Sequence, residues 1–136
     1  MHFEFDVEGG NFTRAGTASS QVKKTLKNLS VDPAVVKRVV VALYEAEVNI
    51  VAHAYRGRVV IDILGDGIRM VLADEGPGIP DVPLAMTRGY STASDKVREM
   101  GFGAGMGLPN IQDNADSLHI DTEVGKGTTL KIEIKF

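Results

Sequence analysis

The chain has 136 residues, 43% of them hydrophobic and 24% charged, which makes one ordinary domain able to bury about two-thirds of its unfolded surface. It has no cysteine and a net charge of −3, which excludes disulfides, thiolate zinc sites and cysteine nucleophiles and argues against a broad nucleic-acid footprint, though not against a local basic pocket. No apolar run approaches the roughly 20 residues of a membrane span, and the acidic, alternating start Met1-His2-Phe3-Glu4-Phe5-Asp6 lacks a basic leader, so no membrane contact is expected and the cytoplasm is the expected compartment.

Phe3, Phe5 and Val7 alternate with Glu4, Asp6 and Glu8, the two-residue period of a half-buried strand ending at Gly9-Gly10. From Phe12 to Leu29 the apolar Val22, Leu26 and Leu29 recur at helical spacing between lysines, which predicts a first helix. Asp32-Pro33 supplies an N-cap and a first-turn proline for a second helix through Val35, Val36, Val39, Val40 and Leu43 to about Ala54. Its β-branched residues are mediocre helix formers, so burial against a sheet face must hold it. The runs 59–64 and 68–73 flank Gly65-Asp66-Gly67 and predict a hairpin. Residues 76 to 105 contain Pro77, Pro80, Pro83 and six glycines with patchy periodicity; a compact domain seldom carries such a stretch without a functional reason, and a flexible lid over about 79–105 is the expectation. Leu108-Pro109 then opens a short helix to about Ser117, and a second hairpin, Leu118–Val124 and Thr128–Phe136, turns at Gly125-Lys126-Gly127. The expected architecture is α+β, a two-layer sandwich with an antiparallel or mixed sheet covered by helices on one face.

Within the second helix, Glu45, Asn49 and His53 stand at i, i+4 and i+8, on one stripe. A solvated stripe is one reading; the apolar neighbours Val48, Ile50, Val51 and Ala52 favour a stripe that lines a cleft. A carboxylate there can act as a general base, and an uncharged amide oxygen can ligate Mg²⁺, which prefers hard oxygen donors. His53 reads as a packing residue at the helix end. Asp74-Glu75-Gly76-Pro77-Gly78 follows a strand directly, either as a simple turn or as an acidic acceptor beside close-approach glycines, suited to an exocyclic amino group such as that of adenine. Gly103-Ala104-Gly105-Met106-Gly107 before Leu108-Pro109 permits close backbone approach to a phosphate, or forms a surface loop. Thr128 after Gly125-Lys126-Gly127 offers a hydroxyl near the same pocket or is an ordinary strand residue.

These four segments, in this order, resemble the motif boxes of the GHKL nucleotide-binding ATPases, whose Bergerat fold joins them. Glu45-Ala46-Glu47-Val48-Asn49 looks like the N box, and Asp74–Gly78, Gly103–Gly107 and Gly125–Thr129 look like the three glycine boxes. Within that group the chain is similar to the small bacterial anti-sigma-factor and switch-protein serine kinases of partner-switching systems, on Glu45 through Tyr55, Gly76-Pro77-Gly78-Ile79-Pro80-Asp81, Gly89-Tyr90-Ser91-Thr92, and the second glycine box with Leu108-Pro109. The resemblance implies ATP and Mg²⁺ as cofactors, Glu45 as general base toward a substrate serine, Asn49 as Mg²⁺ ligand and Asp74 as adenine acceptor. Gly76, Gly78, Ile79, Gly103, Gly105, Met106, Gly107, Leu108 and Thr128 would complete the nucleotide site, and Arg98, in the charged run Asp95–Glu99, would touch a terminal phosphate or lie on a solvated lid surface.

The implied function is a serine protein kinase acting on a STAS-type anti-sigma-factor antagonist. The alternatives are a non-catalytic, nucleotide-dependent module that captures a sigma factor or another regulator, and, ranked last, a detached sensor-histidine-kinase catalytic domain. Tyr44 and Glu47 depart from the small or uncharged residues expected of sigma-binding members, which counts against a sigma factor as target. Sheet or N-terminal-helix surfaces could support a homodimer like those of the family.

Overall fold

In the computed structural model, which describes residues 1–87 and 107–136, alternation in the strands settles which face is buried. The strands are β1 (His2–Glu8), β2 (Arg56–Ile63), β3 (Gly67–Glu75), β4 (Ser117–Glu123) and β5 (Gly127–Lys135). They form one five-stranded sheet in the order β1-β2-β3-β5-β4, and every pairing is antiparallel. Val59, Ile61 and Ile63 of β2, Ile68, Met70 and Leu72 of β3, and Leu130, Ile132 and Ile134 of β5 are buried on one face. The intervening residues form the outer face, which mixes Val60, Val71 and Ala73 with charged side chains; there Arg69 pairs with Glu133 and Arg58 with Glu4 and Asp6. Such exposed ion pairs contribute little to stability, so burial of the inner face holds the sheet.

That inner face is covered by α1 (Thr17–Asn28), α2 (Pro33–His53) and, beyond a single-turn helix α3 (Val82–Ala85), α4 (Gly107–Asn114). As expected, α2 begins at a side-chain cap: Asp32 Oδ1 accepts from the Ala34 N–H at 2.8 Å, with Pro33 at the first position. Its Val39, Leu43, Ala46 and Ile50 are buried in the core, which compensates for its β-branched content. The architecture is the expected two-layer α+β sandwich, and the sheet is antiparallel throughout the described residues.

Three boundaries differ from the sequence reading. The predicted first helix is divided into a short 3₁₀ turn at Phe12–Arg14 and α1 proper, because Gly16 adopts a left-handed conformation (φ 93°) between them. The last helix stops at Asn114 rather than near Ser117. Asp116 there enters the sheet: its N–H donates to the Glu133 carbonyl, and its carboxylate accepts from the Lys135 N–H at 2.7 Å. The first hairpin's leading strand begins at Arg56, three residues before its apolar run, because it pairs with β1 as well as β3. Of the expected lid, residues 79–87 are described and include α3; the remainder lies outside the described residues.

Candidate nucleotide site

Asp74 stands at the penultimate position of β3, opposite Gly57 of β2. Its Oδ1 accepts from the Thr128 backbone N–H at 3.0 Å, so the strand end and the third glycine box meet directly. Burial pushes the Asp74 carboxyl above its ordinary pKa, against the opposing pull of that N–H. One accepted bond leaves a carboxylate with capacity for a further donor.

The surrounding turns are close-packed. Gly127 lies so near Asp74 that a Cβ there would overlap the Asp74 carbonyl oxygen. The buried Gly76 donates its N–H to the Lys126 carbonyl at 3.1 Å, and the Gly125 N–H donates to Pro77 at 2.9 Å, which ties the first glycine box to the third. Gly78 is left-handed (φ 76°), and a Cβ there would stand 2.5 Å from the Glu123 carbonyl oxygen. A side chain at Gly127 would force the two boxes apart, and one at Gly78 would push the first box off the end of β4.

Thr128 is buried. Its hydroxyl lies 2.9 Å from that of Thr122, which also accepts from the Ile79 N–H at 2.8 Å. Thr128 thus contributes through its backbone to Asp74 and through its hydroxyl to a second bond that fixes Ile79. Thr122 was not among the expected residues; its position directly across from Thr128 in the β4–β5 register is what places it there.

On α2, Glu45 and Asn49 are half-buried and both face α4. The Asn49 Oδ1 lies 3.2 Å from where a Cβ on Gly107 would stand, so the N box abuts the helix opened by the second glycine box. Glu45 Oε1 accepts from Asn110 Nδ2 at 3.3 Å. Leu108 is buried in the core and pins the first turn of α4. At the far end of α4 the Asn114 carbonyl accepts from Arg38 Nε at 3.1 Å. Neither Asn110 nor Arg38 was expected from sequence, although Arg38 shares the Glu45 stripe two turns away. At the end of α2, burial pushes the pKa of His53 down, consistent with a packing role.

Glu47, read from sequence as an unusual charge in the N box, turns the other way. It is 2% exposed, and its carboxylate accepts from the N–H groups of Gly16 at 3.1 Å, Ala18 at 3.3 Å and Ser19 at 3.3 Å. It therefore caps α1, which has no cap of its own, and presents no charge to a partner. Burial raises its pKa, opposed by these amides. Tyr44 is partly exposed and lies against Gly16.

Gly103, Gly105, Met106 and Arg98 lie outside the described residues. Among the described residues no group of three or more acidic or histidine side chains forms a metal cluster, and no helix is long and apolar enough to cross a membrane. The oxygen donors present, the Asp74 carboxylate beside a glycine cradle and the Asn49 amide at the start of α4, suit a nucleotide and a cation carried with its phosphates, because such a cation needs few protein ligands.

Comparison with known proteins supports that reading. Residues 11–134 match the model of the histidine kinase-like ATPase domain. The chain is 32% identical to serine/threonine-protein kinase RsbT of Bacillus subtilis, over 69% of this chain and 68% of that protein. It is 34% identical to an anti-sigma F factor of Caldanaerobacter subterraneus, over 67% and 64% of the two chains. Against an anti-sigma F factor of Geobacillus kaustophilus it is 30% identical over 98% and 90%. On the match over residues 11–134 and the likeness to these relatives, the chain belongs to the histidine kinase-like ATPase family, within the GHKL group that its sequence resembles.

Proposed function

We propose that the chain is a cytoplasmic ATP-dependent protein-serine kinase of a partner-switching system, and that it phosphorylates a serine on a STAS-type antagonist protein. The observation that carries this is the placement of Glu45 and Asn49 side by side against the start of α4, with Gly107 next to the Asn49 amide. A carboxylate beside a phosphate-facing helix start is where a hydroxyl nucleophile must lose its proton. The names of the relatives, a serine/threonine kinase and anti-sigma F factors, point the same way.

Asp74 would accept from the adenine amino group, and Gly76, Gly78 and Ile79 would line the base. Asn49 would supply an oxygen to Mg²⁺, which when bound neutralises phosphate charge. The backbone of Gly107 and Leu108 would face the phosphates, and Gly103, Gly105, Met106 and Arg98 would complete that contact. In the transfer, the serine oxygen bonds to the γ-phosphorus as the bond to the bridging oxygen breaks; the hydroxyl proton passes to Glu45 and ADP leaves. Catalysis of this kind depends chiefly on positioning and charge.

The test is incubation with Mg²⁺ and [γ-³²P]ATP together with a STAS-domain protein captured by the chain, followed by phosphoserine mapping. Glu45→Ala should lower transfer at least about a hundredfold while ATP binding is retained. Undiminished transfer would overturn the assignment of the base. Stable capture of a sigma factor with no phosphate transfer would select the non-catalytic binding module instead.

A further inference from the structure

α4 runs antiparallel along the polar stripe of α2, and three contacts set the register: Gly107 against Asn49, Asn110 against Glu45, and the Asn114 carbonyl against Arg38. The middle contact bears on chemistry. Glu45 has a flexible, half-exposed side chain, and restraining it to one orientation costs about 1–2 kcal/mol of rotamer freedom. Among the described residues its carboxylate makes one hydrogen bond, from Asn110 Nδ2 at 3.3 Å. A carboxylate only accepts, so the Asn110 amide must turn its NH₂ toward Glu45.

Asn110 is itself firmly placed. Its backbone carbonyl accepts from Asn114 Nδ2 at 2.8 Å, and its neighbours Pro109 and Ile111 are buried, which fixes where the residue stands on α4. It stands one turn into the helix that Gly107 opens, so the same short element meets both Asn49, through Gly107, and the Glu45 carboxylate.

We propose that Asn110 is a positioning residue for Glu45. It holds the carboxylate in the orientation that receives the hydroxyl proton and ties that orientation to the seating of α4. The inference rests on the reading of Glu45 as general base.

The experiment compares Asn110→Ala and Asn110→Asp in the full chain, alone and combined with Glu45→Gln. Turnover of [γ-³²P]ATP is followed as transfer to a STAS-domain serine or, with no acceptor protein, as release of inorganic phosphate to water. Loss of the donor in Asn110→Ala should lower kcat about tenfold, with KM for ATP changed less than about threefold. Asn110→Asp preserves shape but sets a like charge against Glu45 and should lower kcat further, an order that a purely structural role would reverse because aspartate fills the site better than alanine. In the Glu45→Gln background neither substitution should cost anything more.

Wild-type kcat in both Asn110 variants, or losses that simply multiply with that of Glu45→Gln, would overturn the positioning role and leave Glu45 as base. Full turnover in Glu45→Gln alone would instead overturn the base itself, and with it this inference.

Discussion

Asp74 and Thr128 lie 54 residues apart in the chain, yet the carboxylate of one accepts the backbone N–H of the other at 3.0 Å. This bond closes the base of the candidate site by joining β3 to β5 where the first and third glycine boxes converge. Asp74→Asn keeps an oxygen to accept from Thr128 but removes the charge and one acceptor. If Asp74 receives the adenine amino group as proposed, ATP affinity measured calorimetrically should fall at least about tenfold while the thermal midpoint changes little, because a half-buried acceptor is lost and the fold contact is not.

Gly78 is held left-handed beneath the Glu123 carbonyl. Gly78→Ala adds the backbone penalty of about 1–2 kcal/mol for a left-handed L-residue and forces its Cβ against backbone that cannot swing aside. The expected result is destabilisation by about 2 kcal/mol or more in urea unfolding, with weaker ATP binding by the folded fraction.

Glu45 and Glu47 are two residues apart on one helix and should behave oppositely. Glu47→Ala leaves the first-turn amides of α1 without their acceptor in a buried site and should cost about 1–3 kcal/mol in equilibrium unfolding. Glu45→Ala removes a half-exposed side chain and should change stability by less than about 0.5 kcal/mol while abolishing transfer. Comparable stability losses in the two variants would contradict this division of roles.

His53 has its pKa lowered by burial, so the folded chain binds fewer protons there than the unfolded chain. Its contribution to stability is therefore present above the unfolded value of about 6.5 and is lost as the pH falls through the folded value. Urea titrations at pH 7, 6 and 5 should show wild type losing stability more steeply than His53→Gln over that window. Identical slopes would show that His53 charges without penalty.

The local elements are legible in the sequence because they depend on near neighbours. The alternation of Phe3, Phe5 and Val7, the Asp32-Pro33 helix start and the glycine turns at residues 65–67 and 125–127 are all short-range signals, and the structure has a strand, a capped helix and two hairpins there. The same holds for the stripe of Glu45 and Asn49, since 3.6 residues per turn sets which side chains share a face.

What those signals could not decide is which groups from distant segments meet. The periodicity of residues 12–29 marks a helix but not its start, because the group that caps α1 is Glu47, on another helix. Glu47 stands out in the sequence only as a charge in the N box where sigma-binding members are expected to carry a small or uncharged residue. Tertiary packing alone makes it a buried cap, since satisfying three amides offsets the cost of burying its carboxylate. Asn110 likewise carries no distinguishing mark in its own segment; it gains a role only when α4 lies antiparallel on α2 and brings its amide to Glu45. The sequence by itself determined the elements and the chemical types available to the site. Only the tertiary structure decided that Glu47 holds the fold as a buried cap while Glu45 stays half-exposed beside α4, and which amide meets Glu45, because those outcomes depend on burial and long-range contact.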